Sequence, residues 1–174
     1  MLSVSRTVLL LLLLFPGMLL AGGVYQEPED FLAEVFNGEV PEAQVIWLTG
    51  PRKEVVTQLL GHRYPSLRVR YWRQGQRTAW ILEEIGKTEP ITTGFVINEG
   101  RIDTVKVLVF RESRGWEIRH SFFTDQFDQA RLNEQRQLDR TIDGISGATL
   151  SVRALKKLAA MALYLDQQAR QQDA

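Results

Sequence analysis

Across residues 67–110 apolar and polar side chains alternate with a period of two, which commits this part of the chain to antiparallel strands. Leu67, Val69 and Tyr71 fall on one face of a first strand and Arg68, Arg70 and Trp72 on the other. Gln74-Gly75 supplies a turn, and residues 78–85 return. Residues 92–97 and 102–110, joined by Asn98-Glu99-Gly100-Arg101, make a second hairpin, in which Val105, Val107 and Val109 oppose Thr104, Lys106, Leu108 and Phe110. Helical patterns flank these strands. Phe31, Leu32, Val35 and Phe36 follow the acidic start Glu27-Pro28-Glu29-Asp30 and end at Asn37-Gly38. Residues 43–48 read as a further strand, and 51–60, with Gly61 behind, as a second helix. Residues 151–168 carry Val152, Leu155, Leu158, Ala159, Ala162 and Leu165 on one stripe, with Arg153, Lys156 and Lys157 away from it. Residues 111–116 read as a loop, and the polar stretch 124–140 as partly helical around Phe127, Ala130 and Leu132. Helices around a run of antiparallel strands predict an α+β fold, an antiparallel sheet of β-hairpins with packed helices, in one domain over residues 24–174.

Composition narrows the chemistry. The 21 basic and 21 acidic residues cancel, so no overall field holds the chain on nucleic acid. There is no cysteine, which excludes disulfides, thiolate metal sites and a cysteine nucleophile. The two histidines, His62 and His120, read as structural or surface residues, and no protein-ligated metal is expected. Redox or acid–base chemistry here is therefore expected from an organic cofactor or from oxygen side chains. Residues 1–23 run from Arg6 through the apolar stretch 8–20, broken by Pro16-Gly17, to the small residues Ala21-Gly22-Gly23. That is the order of an export signal, and the stretch falls short of the ~20 apolar residues of a spanning helix. The expectation is a signal peptide cleaved near Gly23 or a retained N-terminal anchor, with the domain in the periplasm in either case.

The segment with the most chemical content is Asp143-Gly144-Ile145-Ser146-Gly147-Ala148-Thr149-Leu150-Ser151. Small residues and hydroxyls lead straight into a helix, where free backbone N–H groups meet the positive end of the dipole, an arrangement that suits a phosphate. A loop in which Ser146, Thr149 or Ser151 caps the helix is the alternative. The segment resembles the signature Asp-x-x-Ser/Thr-Gly-Ala-Thr of the exported FMN-binding domain family, which includes the covalent-FMN subunits of the sodium-translocating NADH:quinone reductase and of the Rnf electron-transport complex. Residues 94–97 and 107–117, with Glu112-Ser113-Arg114-Gly115, look like that family's hairpin and following loop, so the resemblance spans about 88–165.

The resemblance implies FMN as cofactor, esterified through its phosphate to Thr149 by a separate Mg-dependent flavin transferase that draws on FAD. Asp143, Gly144, Ser146, Gly147, Ala148, Leu150 and Ser151 then surround the attachment point. Asp143 orients or deprotonates the Thr149 hydroxyl, binds the transferase's metal, or serves only as a cap or turn former. A threonine hydroxyl is a weak nucleophile and no histidine lies in the segment, so an outside enzyme is needed. Candidate walls for the flavin ring are Ser113, Arg114, Gly115 and Trp116 and the cluster His120-Ser121-Phe122-Phe123. Arg114 faces the phosphate or the reduced ring, or else pairs with Glu112 or Glu117; Trp116 and Phe122 stack on the ring, or else are core. The implied function is an electron carrier serving a redox partner protein or a membrane electron-transport complex. A non-redox assembly module and a small flavin-dependent reductase are the alternatives. The run 62–80, with Arg63, Arg68, Arg70, Arg73 and Arg77 among Tyr64, Tyr71, Trp72 and Trp80, reads as a solvated hairpin face or a surface for an acidic redox partner.

Overall fold

Both expected hairpins form, and they join edge to edge. In a computed structural model that describes residues 23–172, β1 (Gly23–Val24), β2 (Gln44–Trp47), β3 (Arg68–Gln74), β4 (Arg77–Ile85), β5 (Pro90–Asn98) and β6 (Arg101–Phe110) make one antiparallel sheet in the order β1-β6-β5-β4-β3-β2. Its helices are α1 (Pro28–Val35), α2 (Gly50–Leu60), α3 (Ser121–Thr124) and α4 (Thr149–Gln172). The expected leader or anchor lies outside the described residues, except for Gly23, which opens β1 opposite Phe110. Among the described residues no helix is long and apolar enough to cross a membrane.

The sheet separates two apolar clusters. On one face Trp80, Leu82, Phe95 and Ile97 pack with Leu155, Leu158 and Leu165 of α4 and with Val56 and Leu60 of α2. On the other, Ala79, Val96, Leu108 and Val109 lie under Phe31, Leu32 and Phe36. Covering both faces explains why seven of the nine residues of β5 are buried consecutively.

Strict alternation fails in β6. Thr92 stands opposite Val109 and Thr93 opposite Val107, so Leu108 is an extra residue; Asp103 is likewise extra between Thr104 and Ile102. Each bulge inverts the facing of the residues beyond it. Phe110 therefore joins Ile102, Val105 and Val107 on the α4 side, whereas Val109 joins Leu108 beneath α1, contrary to the alternating assignment. The carbonyl of Leu108 accepts the N–H groups of both Tyr25 (2.8 Å) and Gln26 (3.2 Å), fastening the entry of the chain.

The stretch 124–140 also departs from expectation. After α3 and a single 3₁₀ turn (Asp125–Phe127), the chain is not helical at Ala130 or Leu132. Gln129 donates its N–H to the Ile102 carbonyl (2.7 Å), the Ile102 N–H donates to the Ala130 carbonyl (2.9 Å), and Leu132 bridges Leu138. β1 covers only the far end of β6, so this segment satisfies backbone groups that the strand edge leaves open. The basic and aromatic run separates by face as well. Tyr71 and Trp80 stack at 4.7 Å inside the core and present no ring face to a ligand.

Gly94 is where α1 meets the sheet. A Cβ at this position would lie 2.6 Å from two atoms of the fully buried Phe31 ring. Gly94→Ala is expected to cost about 1–3 kcal/mol by overpacking. This would appear as a lower urea midpoint with unchanged slope, largely restored when Phe31→Leu is added.

Candidate functional site

The site is built around the first turn of α4, and the rest of that helix fixes where the turn points. With 24 residues α4 is about 36 Å long. Its far half is tied to the β3–β4 hairpin by fully buried Asp166, which accepts hydrogen bonds from the Thr78 hydroxyl (2.7 Å) and from Arg170 Nε (2.7 Å). Thr78 Oγ1 in turn accepts from Trp80 Nε1 (2.9 Å).

At the other end, Ala148 is buried, donates its N–H to the Ile145 carbonyl (3.0 Å) and accepts from Val152 N–H (2.9 Å), closing the first helical turn. The N–H groups of Thr149, Leu150 and Ser151 have no acceptor among the described residues. The hydroxyls of Ser146, Thr149 and Ser151 make no hydrogen bond there either, so the capping arrangement is not the one adopted. Thr149 and Leu150 are exposed, and Ser151 is buried. Gly147 sits at φ 83°, a region that disfavours any side chain, whereas Gly144 has ordinary backbone angles and open space around it. Asp143 donates its N–H to Gln126 Oε1 (2.7 Å), and its exposed carboxylate has no partner among the described residues. It neither caps the helix nor closes a turn through its side chain.

The loop 111–116 comes to this turn from the end of β6. Glu112 does not pair with Arg114. Its buried carboxylate accepts the N–H groups of Lys87, Thr88 (2.6 Å) and Glu89 (2.9 Å), holding the β4–β5 connection. Burial alone would raise the Glu112 pKa, but these donors and the Thr88 hydroxyl outweigh it and hold the carboxyl below its ordinary value. Ser113 and Arg114 are exposed, and Arg114 makes no ion pair among the described residues. Gly115, at φ 87°, lies directly against the motif: a Cβ there would be 2.9 Å from Ser151 Oγ and 3.3 Å from Ala148 Cβ. Trp116 opens a 3₁₀ turn (Trp116–Arg119) and is 44% exposed, and Phe122 is 62% exposed, so neither is core. Phe123 is fully buried against Phe127 and cannot wall a ligand.

A cleft of about 870 Å³ opens on the α2 side of Thr149. Its floor is apolar, from Val55 and Leu59 of α2, Leu138, Ile142, and Val152 and Ala160 of α4. Arg136, Arg140, Arg153, Lys156 and Lys157 line it with Gln58, Gln135, Gln137 and Thr141, and it contains no acidic side chain. Thr149 and Gly144 belong to its wall, and Ser113, Arg114, Gly115 and Trp116 do not. The α2 residues and Arg136, Leu138, Arg140 and Ile142 escape sequence reading because they reach Thr149 only through the fold. Arg153 and Lys156 carried a signal: they stand three apart, one turn past the hydroxyl-rich segment, on what reads as the solvent side.

This geometry fits FMN. The volume lies within the ~300–1,000 Å³ usual for small-molecule sites, an apolar floor suits a flat ring, and unpartnered N–H groups beside five cations suit a phosphate. Among the described residues no cluster of acids and histidines could hold a metal ion.

Behind the cleft Lys157 Nζ lies 3.8 Å from buried Glu84, which also bonds His62 Nε2 at 2.8 Å. The Glu84 hydrogen bond, helped by the Arg63 carbonyl, holds the His62 pKa above its ordinary value. A raised histidine pKa gives stability that is complete below about pH 6.5 and is lost as pH rises through the folded-state value. The urea midpoint should therefore fall between pH 6 and pH 9 by more in the wild type than in His62→Gln. At the motif, Gly115→Ala is expected to destabilise by about 1–3 kcal/mol through its left-handed backbone and the Ser151 contact. Hydrogen exchange should then rise at residues 146–151.

Comparison with known families gives a match to the FMN-binding domain over residues 86–164. No curated protein and no solved structure matches the chain. The matched span runs from the β4–β5 connection through β5, β6 and the 113–116 loop into α4, and it contains both the Gly115 contact and Thr149. Residues 86–164 thus match the FMN-binding domain, a match that implies flavin binding and a redox role.

Proposed function

We propose that the chain is an exported flavoprotein that carries FMN esterified through its phosphate to Thr149 and passes electrons to or from a membrane or periplasmic redox partner. The observation that carries this reading is the state of the α4 N-terminus. An exposed threonine hydroxyl stands beside three backbone N–H groups without acceptors among the described residues and at the wall of a cation-lined cleft, inside a span that matches the FMN-binding domain. The bound cofactor supplies the electron chemistry. The chain's own residues would hold it: the N–H groups of Thr149, Leu150 and Ser151 would donate to the phosphate, Arg153 and Lys156 would offset its charge, and the apolar floor would keep water from the ring.

Attachment requires a second protein. In the reaction Thr149 Oγ displaces AMP from FAD, forming the Oγ–P bond as the bond between the two FAD phosphates breaks, and the hydroxyl proton passes to a base. Within 143–151 the one carboxylate is that of Asp143, exposed and unpartnered, which suits a role in a docked transferase with its magnesium. Gly144 and Gly147 leave open space for that approach. A covalent link suits an exported carrier, because a cofactor that dissociates outside the cytoplasm is lost.

The test is intact-protein mass and in-gel flavin fluorescence under denaturing conditions, after expression with an active exported flavin transferase. The wild type should be heavier by one FMN less one water, with the label on the peptide holding Thr149. Thr149→Ala should carry none, and Asp143→Asn should fold normally but label at least tenfold more slowly. Flavin retained by denatured Thr149→Ala overturns the attachment site. An unmodified wild type beside a labelled control substrate supports the flavin-free assembly module instead.

A further inference from the structure

The carboxylate behind the cleft stands between two cations. His62 Nδ1 lies 2.9 Å from the Arg63 carbonyl oxygen, and Nε2 lies 2.8 Å from Glu84 Oε1. A carbonyl and a carboxylate only accept, so this geometry puts a hydrogen on each ring nitrogen, which is the charged imidazolium. The His62 side chain is 46% exposed, whereas that of Glu84 is 4% exposed and its Oε2 is buried without a partner. The second cation is Lys157, whose Nζ lies 3.8 Å from the same Oε1.

Lys157 belongs to two neighbourhoods at once. It lines the cleft with Arg136, Arg140, Arg153 and Lys156, and its Nζ also reaches the end of α2, where a Cβ on Gly61 would lie 3.8 Å away. The charged groups that act on His62 are Glu84, from β4, and Lys157, from α4. Tyr64, just after α2, borders Glu84, and burial keeps its phenol protonated at neutral pH. While His62 is charged, it offsets Glu84 and leaves the charge of Lys157 to act on the cleft. Once His62 is neutral, Glu84 keeps Lys157 as its cation among the described residues, and a buried carboxylate holds such a partner firmly. The two charges then cancel as felt from the cavity.

We propose, on the reading of the cleft as an FMN site, that His62 and Glu84 are positioning residues that act through Lys157, so that the cleft holds a phosphate-bearing ligand more strongly when His62 is charged than when it is neutral. Solvent pH thereby reaches a buried charge and, through it, the seat of the cofactor. The bonds to Glu84 and to the Arg63 carbonyl raise the His62 pKa, which places the change above about pH 6.5.

The test uses the chain expressed without a flavin transferase and free FMN as the probe, with the dissociation constant read from flavin fluorescence at pH 6 and pH 9. Titration of the FMN phosphate is common to all variants, so each is compared with the wild type at the same pH. His62→Gln should bind about threefold more weakly than the wild type at pH 6, the effect of one screened charge, and equally at pH 9. Glu84→Gln, which frees Lys157 throughout, should bind about threefold more tightly than the wild type at pH 9, where a merely structural role would weaken binding. Equal binding by the wild type and His62→Gln at pH 6 overturns the proposal, and so does a His62→Gln effect that persists when Lys157→Met is added. A wild type that binds no FMN at either pH overturns the FMN reading of the cleft together with the proposal. FMN binding with the expected pH dependence, in a chain that an active transferase leaves unlabelled at Thr149, supports the proposal and removes only the ester.

Discussion

The position of everything functional in this molecule depends on one buried carboxylate. Asp166 is fully buried and is satisfied by the Thr78 hydroxyl and the Arg170 guanidinium, with Trp80 bonded to the same hydroxyl. Leu, Ala and Met side chains on α4 would pack almost as well after a small rotation of the helix, because apolar contact is not directional. The Asp166 bonds are directional, and leaving that carboxylate unpaired in the core would cost several kcal/mol. One azimuth of the helix therefore wins. Residues along a helix follow each other at a fixed angle, so a clamp near its end also aims Thr149 at its start.

The charge pattern is likewise a matter of position. Over the whole chain acids and bases cancel, but around the cleft they are sorted. Glu84 is buried behind Lys157, Glu112 is turned into the β4–β5 connection, and Asp139 is paired with Arg131 and Arg140, so no carboxylate faces the cavity. Elsewhere among the described residues the structure leaves Gln26 Oε1, Arg52 Nε, Glu84 Oε2 and Thr93 Oγ1 buried without a partner. At the first turn of α4 it leaves three N–H groups, three hydroxyls and one carboxylate without partners among the described residues. Donors left open beside sorted cations are what an anionic ligand requires.

Much of this was legible in the sequence wherever the information is local. The hairpins of 67–110 show as alternation, α4 as a stripe, and the motif as a string of small and hydroxyl residues leading into it. What was not legible is what depends on partners far along the chain. A bulge leaves the composition of a strand unchanged, so Asp103 and Leu108 gave no sign that Val109 and Phe110 would exchange faces. Glu112 looked like a partner for Arg114 two residues away, but the open N–H groups of residues 87–89 hold it more strongly than a solvated ion pair would. The stretch after Phe127 has helical spacing, yet the unpaired edge of β6 at Ile102 competes for its backbone and wins. The cleft was hidden for the same reason: Leu59, Arg140 and Thr149 lie in three separate parts of the chain.

The shortness of β1 has a mechanical consequence. Its two residue pairs with β6 and the forked hydrogen bonds to the Leu108 carbonyl are the first contacts of the described residues that a pull on Gly23 meets. None of the residues of β1 belongs to either apolar cluster, so peeling it away breaks a few hydrogen bonds and opens no core. The load would be relieved there, before it reached α1 or the sheet. The entry to the described domain therefore behaves as a compliant joint, which can open while the geometry around Thr149 is kept.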